Sequence, residues 1–166
     1  MARDDFCDNC GTAYTDTSAY PRRCPGCAHM VWDNPAPVVV LLVPVKDGAR
    51  TGLLTVRRAI PPVGELAFVS GFIERGESWQ QSAARELEEE AGVLVDPDEL
   101  RPLHFVSTPD GGTVLMFATA PAVNAEDMPP FVPNEEASER KVIFECVPLA
   151  FPLHNEVATK YFSTER

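Results

Sequence analysis

The run Arg85-Glu86-Leu87-Glu88-Glu89-Glu90 places four carboxylates within five residues. On a helix each residue turns by about 100°. Ala83, Ala84, Leu87 and Ala91 then share an apolar face, while Glu86, Glu89 and Glu90 form an acidic stripe at i, i+3 and i+4. Glu88 points elsewhere. Like charges at these spacings repel by about a few tenths of a kcal/mol per pair. Arg85, four residues before Glu89, offsets part of that. A divalent cation would offset the rest, since Mg²⁺ takes a few carboxylate oxygens together with water and substrate phosphates. The competing reading of such a run is a solvated acidic face.

A second group of chemistry-bearing residues lies near the N-terminus. Cys7-Asp8-Asn9-Cys10 and Cys24-Pro25-Gly26-Cys27 form two CxxC pairs. Two tight turns can offer four thiolates to one tetrahedral Zn²⁺. Gly11 and Gly26 are expected to serve the backbone turns around the metal. Disulfides suit a reducing compartment poorly, and a redox CxxC needs only one pair. His29 is read as a surface residue because four cysteines already close the site. Cys146 stands in Val142-Ile143-Phe144-Glu145-Cys146-Val147 and is expected to be a small core residue of a buried strand.

The elements that must position these groups follow from periodicity and breakers. Residues 1–34 read as a zinc ribbon, and Trp32-Asp33-Asn34-Pro35-Ala36-Pro37 as a connector. Val38 to Val43 is a buried strand, and Gly52 to Arg57 another. Residues 66–73 are extended. Trp79 to Ala91 is the best helix, with Ser78 as N-cap, Gln81 completing a capping box and Gly92 ending it. Extended segments are expected at Leu103 to Val106, Thr113 to Ala120 and Lys141 to Val147, with a terminal helix from about His154 to Phe162. Strands with interspersed helices over residues 36–166 imply an α/β domain.

The chain has 166 residues, 45% of them hydrophobic, which is enough for a sizeable core. The formal net charge is −11. Binding to bare nucleic-acid phosphate or an anionic membrane begins with Lys and Arg. Within the ribbon, Arg3, Arg22 and Arg23 stand against Asp4, Asp5, Asp8 and Asp16. Nucleic acid and membrane are therefore not expected partners. The polar start Met1-Ala2-Arg3-Asp4-Asp5 has no apolar stretch behind it, so no signal peptide is expected and the expected location is the cytoplasm.

Gly71, Glu77, Arg85-Glu86-Leu87, Glu89-Glu90 and Gly92-Val93 together fit the pattern GX5EX7REUXEEXGU, where U is bulky and apolar. This is the Nudix box with every fixed position filled, and the chain resembles the Nudix hydrolase family. The ribbon before the box resembles the zinc-ribbon subgroup, which includes NADH pyrophosphatases and relatives acting on ADP-ribose or FAD. Of the SQPWPFPxS motif of the NADH enzymes the chain keeps a Ser-x-Pro start and lacks the Trp-Pro-Phe-Pro portion. Its nearest counterpart is Ser107-Thr108-Pro109-Asp110-Gly111-Gly112.

The resemblance implies an α/β/α sandwich with mixed sheet. By position it makes Glu86, Glu89 and Glu90 the Mg²⁺-binding (or Mn²⁺-binding) and water-activating carboxylates. Arg85 becomes the ion-pair partner of Glu89, and Glu77 a supporting carboxylate. Gly71 gives room for a turn, and the Ser70 carbonyl is a further candidate oxygen. A later loop often adds a glutamate, for which Glu135 and Glu136 are candidates and Glu136 is favoured. Arg57 and Arg58 end a strand beside the expected cleft and are candidates to touch substrate phosphate, with plain surface arginines the favoured reading; Phe68, Phe72 and Trp79 are candidates to stack a base, with packing the favoured reading. His104 and His154 receive no role. The implied reaction is Mg²⁺-dependent hydrolysis of the pyrophosphate bond of a nucleoside diphosphate derivative of the ADP-ribose, FAD or NADH class, releasing a nucleoside monophosphate. The implied partner is a small nucleotide, and a homodimer is compatible with the family. Two alternatives stand beside it. One is a nucleic-acid-binding or regulatory module with a silent Nudix domain. The other is a hydrolase of oxidised nucleoside triphosphates.

Overall fold

The computed structural model describes residues 5–164. The expectations resting on residues 1–4, including the charges of Arg3 and Asp4, lie outside the described residues. The chain divides into two compact units, Met1–Pro35 and Ala36–Arg166.

In the first unit, β1 (Arg22–Arg23) pairs antiparallel with β2 (Met30–Val31), and Phe6 bridges to Ala13. Its buried described residues are Cys7, Arg22 and Cys24. The Arg22 guanidinium lies over the rings of Tyr14 and Tyr20, at 4.8 and 4.3 Å from their centroids. Among the described residues of this unit, no aliphatic side chain is buried.

The second unit contains two sheets. β3 (Ala36–Leu42), β4 (Pro44–Asp47), β5 (Arg50–Arg58), β6 (Leu66–Ala67) and β7 (Ser70–Phe72) precede the helix α1 (Trp79–Ala91). β8 (Arg101–Ser107), β9 (Thr113–Thr119), β10 (Val123–Asn124), β11 (Ala137–Ile143) and the helix α2 (Pro152–Thr164) follow it. One sheet has the order β7-β3-β9-β8. The other has the order β10-β4-β5-β11, with β6 also on β5. Each is mixed, since β3 runs parallel to β9 and β4 parallel to β10 among antiparallel neighbours.

The apolar run in β3 is continuous because both faces are covered. Side chains alternate between faces. Val39 and Leu41 join Leu54, Val56, Ala83, Leu87 and Ala91 in a core that includes α1. Val40 and Leu42 join Leu53, Phe68, Phe117, Val157 and Ala158 in a second core that includes α2. Among the described residues, no helix is long and apolar enough to cross a membrane.

Helix α1 forms where local signals place it. Ser78 caps it with the reciprocal Gln81 bond, and Gly92 leaves it at φ 65°. The expected strand over Lys141 to Val147 is shifted. β11 runs from Ala137 to Ile143, where its partner β5 reaches Leu53. Cys146 therefore lies past the strand and is exposed, which corrects its expected burial. An apolar run does not record how far along its partner a strand stays paired: β5 continues to Arg50, but β11 leaves it after Ile143. α2 also begins earlier than expected, at Pro152, a residue suited to a first helical turn.

Candidate functional site

In the first unit, ligand atoms of Cys7, Cys10, Cys24 and Cys27 lie within 4.8 Å of one another. The Sγ atoms of Cys7 and Cys27 are 3.7 Å apart, and those of Cys10 and Cys24 are 3.6 Å apart. A tetrahedron with metal–sulfur bonds of about 2.3 Å has edges of about 3.8 Å, so this set fits a metal ion. Each CxxC is closed by a backbone bond to its first cysteine: Gly11 N–H to the Cys7 carbonyl, and Ala28 N–H to the Cys24 carbonyl. The left-handed residues are Gly11 and Ala28, at φ 72° and 61°. Gly26 therefore serves differently from expectation. A Cβ there would collide with Thr12. His29 is outside the cluster and faces Asp8 at 3.7 Å.

In the second unit, α1 presents its carboxylates beside β7. Glu86 and Glu90 are buried, and their oxygens converge with one of Glu136 to within 4.8 Å of one another. Burial, and then the nearby Glu86, push the Glu90 carboxyl up to about 8. Burial also pushes Glu86 up, although Arg85 opposes it. Three acidic groups at this separation form an oxygen donor set that fits a hard divalent cation. The Ser70 N–H donates to Glu90 at 3.3 Å.

Arg85 organises the remaining carboxylates. Its Nε and Nη2 donate to both oxygens of Glu77, at 3.3 and 2.9 Å. Its Nη1 donates to Glu86 at 2.6 Å and to Glu89 at 3.1 Å. Arg85, and then the Glu74 N–H, hold the Glu77 carboxyl down at about 2. The expected Arg85–Glu89 pair is thus one arm of a bridge to three carboxylates. Glu89 itself is exposed and does not belong to the converging set, whereas Glu136 does. Glu135 is also exposed and outside it.

Gly71 lies where β7 meets α1. A Cβ on Gly71 would fall on the Glu86 carboxyl. The Gly71→Ala variant is therefore expected to lose about 1–3 kcal/mol of stability by overpacking. It should also bind Mn²⁺ more weakly because Glu86 must move. Denaturant melts and Mn²⁺ titration check this, and an unchanged Mn²⁺ affinity would count against the close fit.

The carboxylates open into a cavity of about 890 Å³ also lined by Val38, Arg58, Phe72, Leu115, Phe151 and His154. Several of these depart from expectation. Arg58 is half-buried and lies over the Phe151 ring at 5.0 Å, donating to the Pro61 carbonyl at 2.6 Å. Arg57 instead pairs with Glu139 at 2.6 Å on the surface. Phe72 is 62% exposed and so is not core packing, while Phe68 is fully buried. His154 is buried, stacks on Phe68 and accepts the Phe68 N–H. Burial, and then Arg58, hold it down at about 4, so it is neutral at pH 7. No spacing rule links Arg58, Phe151 and His154, because they meet only through the sheet and the start of α2. Thr108 and Pro109, from the β8–β9 turn, also line the cavity.

The NUDIX domain family matches residues 35–159. The chain is 34% identical over 93 residues to the NAD-capped RNA hydrolase NudC of Deinococcus radiodurans, covering 54% of this chain and 32% of that protein. It is 35% identical over 92 residues to the mitochondrial NAD(P)H pyrophosphatase NUDT13 of Mus musculus, covering 55% of this chain and 25% of that protein. The matched region thus spans about a third or less of these relatives. A NUDIX hydrolase structure from Nitrosomonas europaea has a similar fold, with a TM-score of 0.72 and 24% identity, covering 96% of this chain and 90% of that one. The expectation that nucleic acid is not a partner is corrected by the RNA-directed name of the Deinococcus radiodurans relative. Net charge tests for a surface that coats a phosphate backbone. It does not weigh a site that takes one end of an RNA into a pocket.

Proposed function

The chain belongs to the NUDIX domain family, and from that premise we propose that it hydrolyses the pyrophosphate bond of a dinucleotide of the NAD(H) class, free or as the 5′ end of an RNA. The observation that carries this reading is the convergence of Glu86, Glu90 and Glu136 inside a cavity that also has apolar and aromatic walls. The names of the similar relatives support the substrate class. Glu86, Glu90 and Glu136 would hold Mg²⁺ or Mn²⁺, which when bound would supply charge neutralisation and Lewis-acid polarisation of the diphosphate.

The chain's own residues do the rest. Arg85 fixes the Glu86 and Glu89 side chains from one guanidinium. Glu89, exposed and outside the converging set, is the candidate acceptor of the water proton. Arg58 brings positive charge to the cavity lining, and the exposed Phe72 ring offers a stacking surface for a base. Water attack at phosphorus breaks the bridging P–O bond, and two nucleoside monophosphates leave. Under this reading the first unit is a zinc ribbon whose metal holds its own turns together.

The test is hydrolysis of NADH, ADP-ribose, FAD and NAD-capped RNA with both products identified. NADH and the capped RNA should be cleaved to two monophosphate ends, with activity lost on chelation and restored by Mg²⁺. Release of inorganic pyrophosphate from nucleoside triphosphates, without cleavage of the dinucleotides, would instead support the triphosphate-cleansing alternative.

A further inference from the structure

Helix α1 ends with carbonyls that have no partner within the helix. The Gly92 N–H takes that of Glu88. Two others are taken by side chains from the region around β11. Arg140 donates to the Ala91 carbonyl at 2.7 Å. Asn134 Nδ2 donates to the Glu89 carbonyl at 2.8 Å. Asn134 does more than cap the helix. Its Oδ1 accepts the N–H groups of Glu136 and Ala137, at 3.0 and 2.7 Å. Its own N–H donates to the Ala137 carbonyl at 2.9 Å. One amide therefore joins the backbone of Glu89, on the helix, to the backbone of Glu136, on the loop. On its other side Glu136 is held by the Ala59 N–H, which donates to the Glu136 carbonyl at 2.7 Å.

We propose that Asn134 is the positioning residue for Glu136, setting the distance at which the loop carboxylate meets Glu86 and Glu90. The proposal rests on the reading of Glu136 as a cation ligand. Without the Asn134 amide, the turn 134–137 loses its side-chain acceptor, and the loop loses this tie to the helix. Glu136 is exposed while the next residue, Ala137, is buried in the core, so the Asn134 bonds set how the Glu136 side leaves that anchor. Arg140 is a contrasting clamp. It joins the same helix end to the Pro129 carbonyl and makes no bond to the Glu136 turn.

The experiment is calorimetric Mn²⁺ titration of the full chain, metal-free at the start, with thermal melts on the same samples. Asn134→Ala is expected to weaken Mn²⁺ binding by roughly 10–100-fold, the effect of losing a group that orients a metal ligand. In a Glu136→Gln background the same substitution should cost no further affinity, although it still lowers Tm. Asn134→Ser provides a milder variant. Its hydroxyl can hold the turn but is too short to reach the Glu89 carbonyl, and Mn²⁺ binding should again weaken. Wild-type Mn²⁺ affinity in a folded Asn134→Ala or Asn134→Ser protein overturns the proposal. So does an equal loss in both backgrounds, which marks a purely structural staple. Wild-type affinity in Glu136→Gln alone removes Glu136 from the ligands and the proposal with it.

Discussion

Glu90→Gln should lower turnover of a dinucleotide substrate by roughly 10²–10⁴-fold while leaving the metal-free protein as stable as wild type or more so. The two effects have one cause. Glu90 is 4% exposed and sits beside Glu86. Burial and that neighbour raise its folded pKa from 4.5 to about 8. Between these values the folded state binds more protons than the unfolded one, so this group makes stability fall as pH rises through that window. Glutamine keeps the shape, can accept the Ser70 N–H and carries no charge to desolvate. The variant's metal-free melting temperature should therefore decline less between pH 5 and pH 8 than that of wild type. The Tm increase on adding Mn²⁺ should shrink or vanish, because one of three converging oxygen donors has lost its charge. Kinetics and melts with and without Mn²⁺ measure all of this. Near-wild-type turnover would sink the assignment of Glu90 as a ligand.

Stripping metal from the four-cysteine site, or the substitution Cys24→Ser, should unfold the first unit and leave the second folded. The buried described residues of the first unit are two cysteines and one arginine. Its named strands are two residues each. A segment of about 35 residues with so little apolar burial has no adequate core of its own. Structural zinc contributes about 10–16 kcal/mol in comparable small domains, far more than a lost hydrogen bond. Burial raises the Cys24 thiol to about 11, so the proton must be displaced by a metal for that sulfur to act as thiolate. Limited proteolysis should cut within residues 5–35 after chelation, while the two cores of residues 36–164 resist. One equivalent of zinc per wild-type chain is expected by elemental analysis. Unchanged protease resistance of the zinc-free protein would refute the structural role.

Much of the architecture around α1 was legible because its causes are local. The Ser78 cap, the Gln81 return bond, the apolar spacing of Ala83, Leu87 and Ala91, and Gly92 all act within a turn or two of the helix. The four-cysteine site was legible for a similar reason, since two short turns set its geometry. The choice among the glutamates was less local. From Glu86, Glu90 lies about 40° to one side on the helix and Glu89 about 60° to the other. Periodicity treats all three as one stripe. Packing of Leu87 against the sheet rotates that stripe so that Glu86 and Glu90 face inward and Glu89 faces solvent.

The sequence by itself determined a short list: a helix bearing carboxylates at metal-binding spacing, a quartet of thiolates, and apolar strands to hold the helix. Those properties depend on neighbours a few residues away, and backbone geometry enforces them. Tertiary structure decided which oxygens meet. It brought Glu136 to Glu86 and Glu90 across 50 and 46 positions of chain. It turned Arg58 toward the cavity, left Cys146 outside the core, and buried His154 neutral behind Phe151. Each outcome was set by the sheet register and by how helix α2 packs on the sheet. Register arises from contacts between distant segments, so no window along the chain contains it.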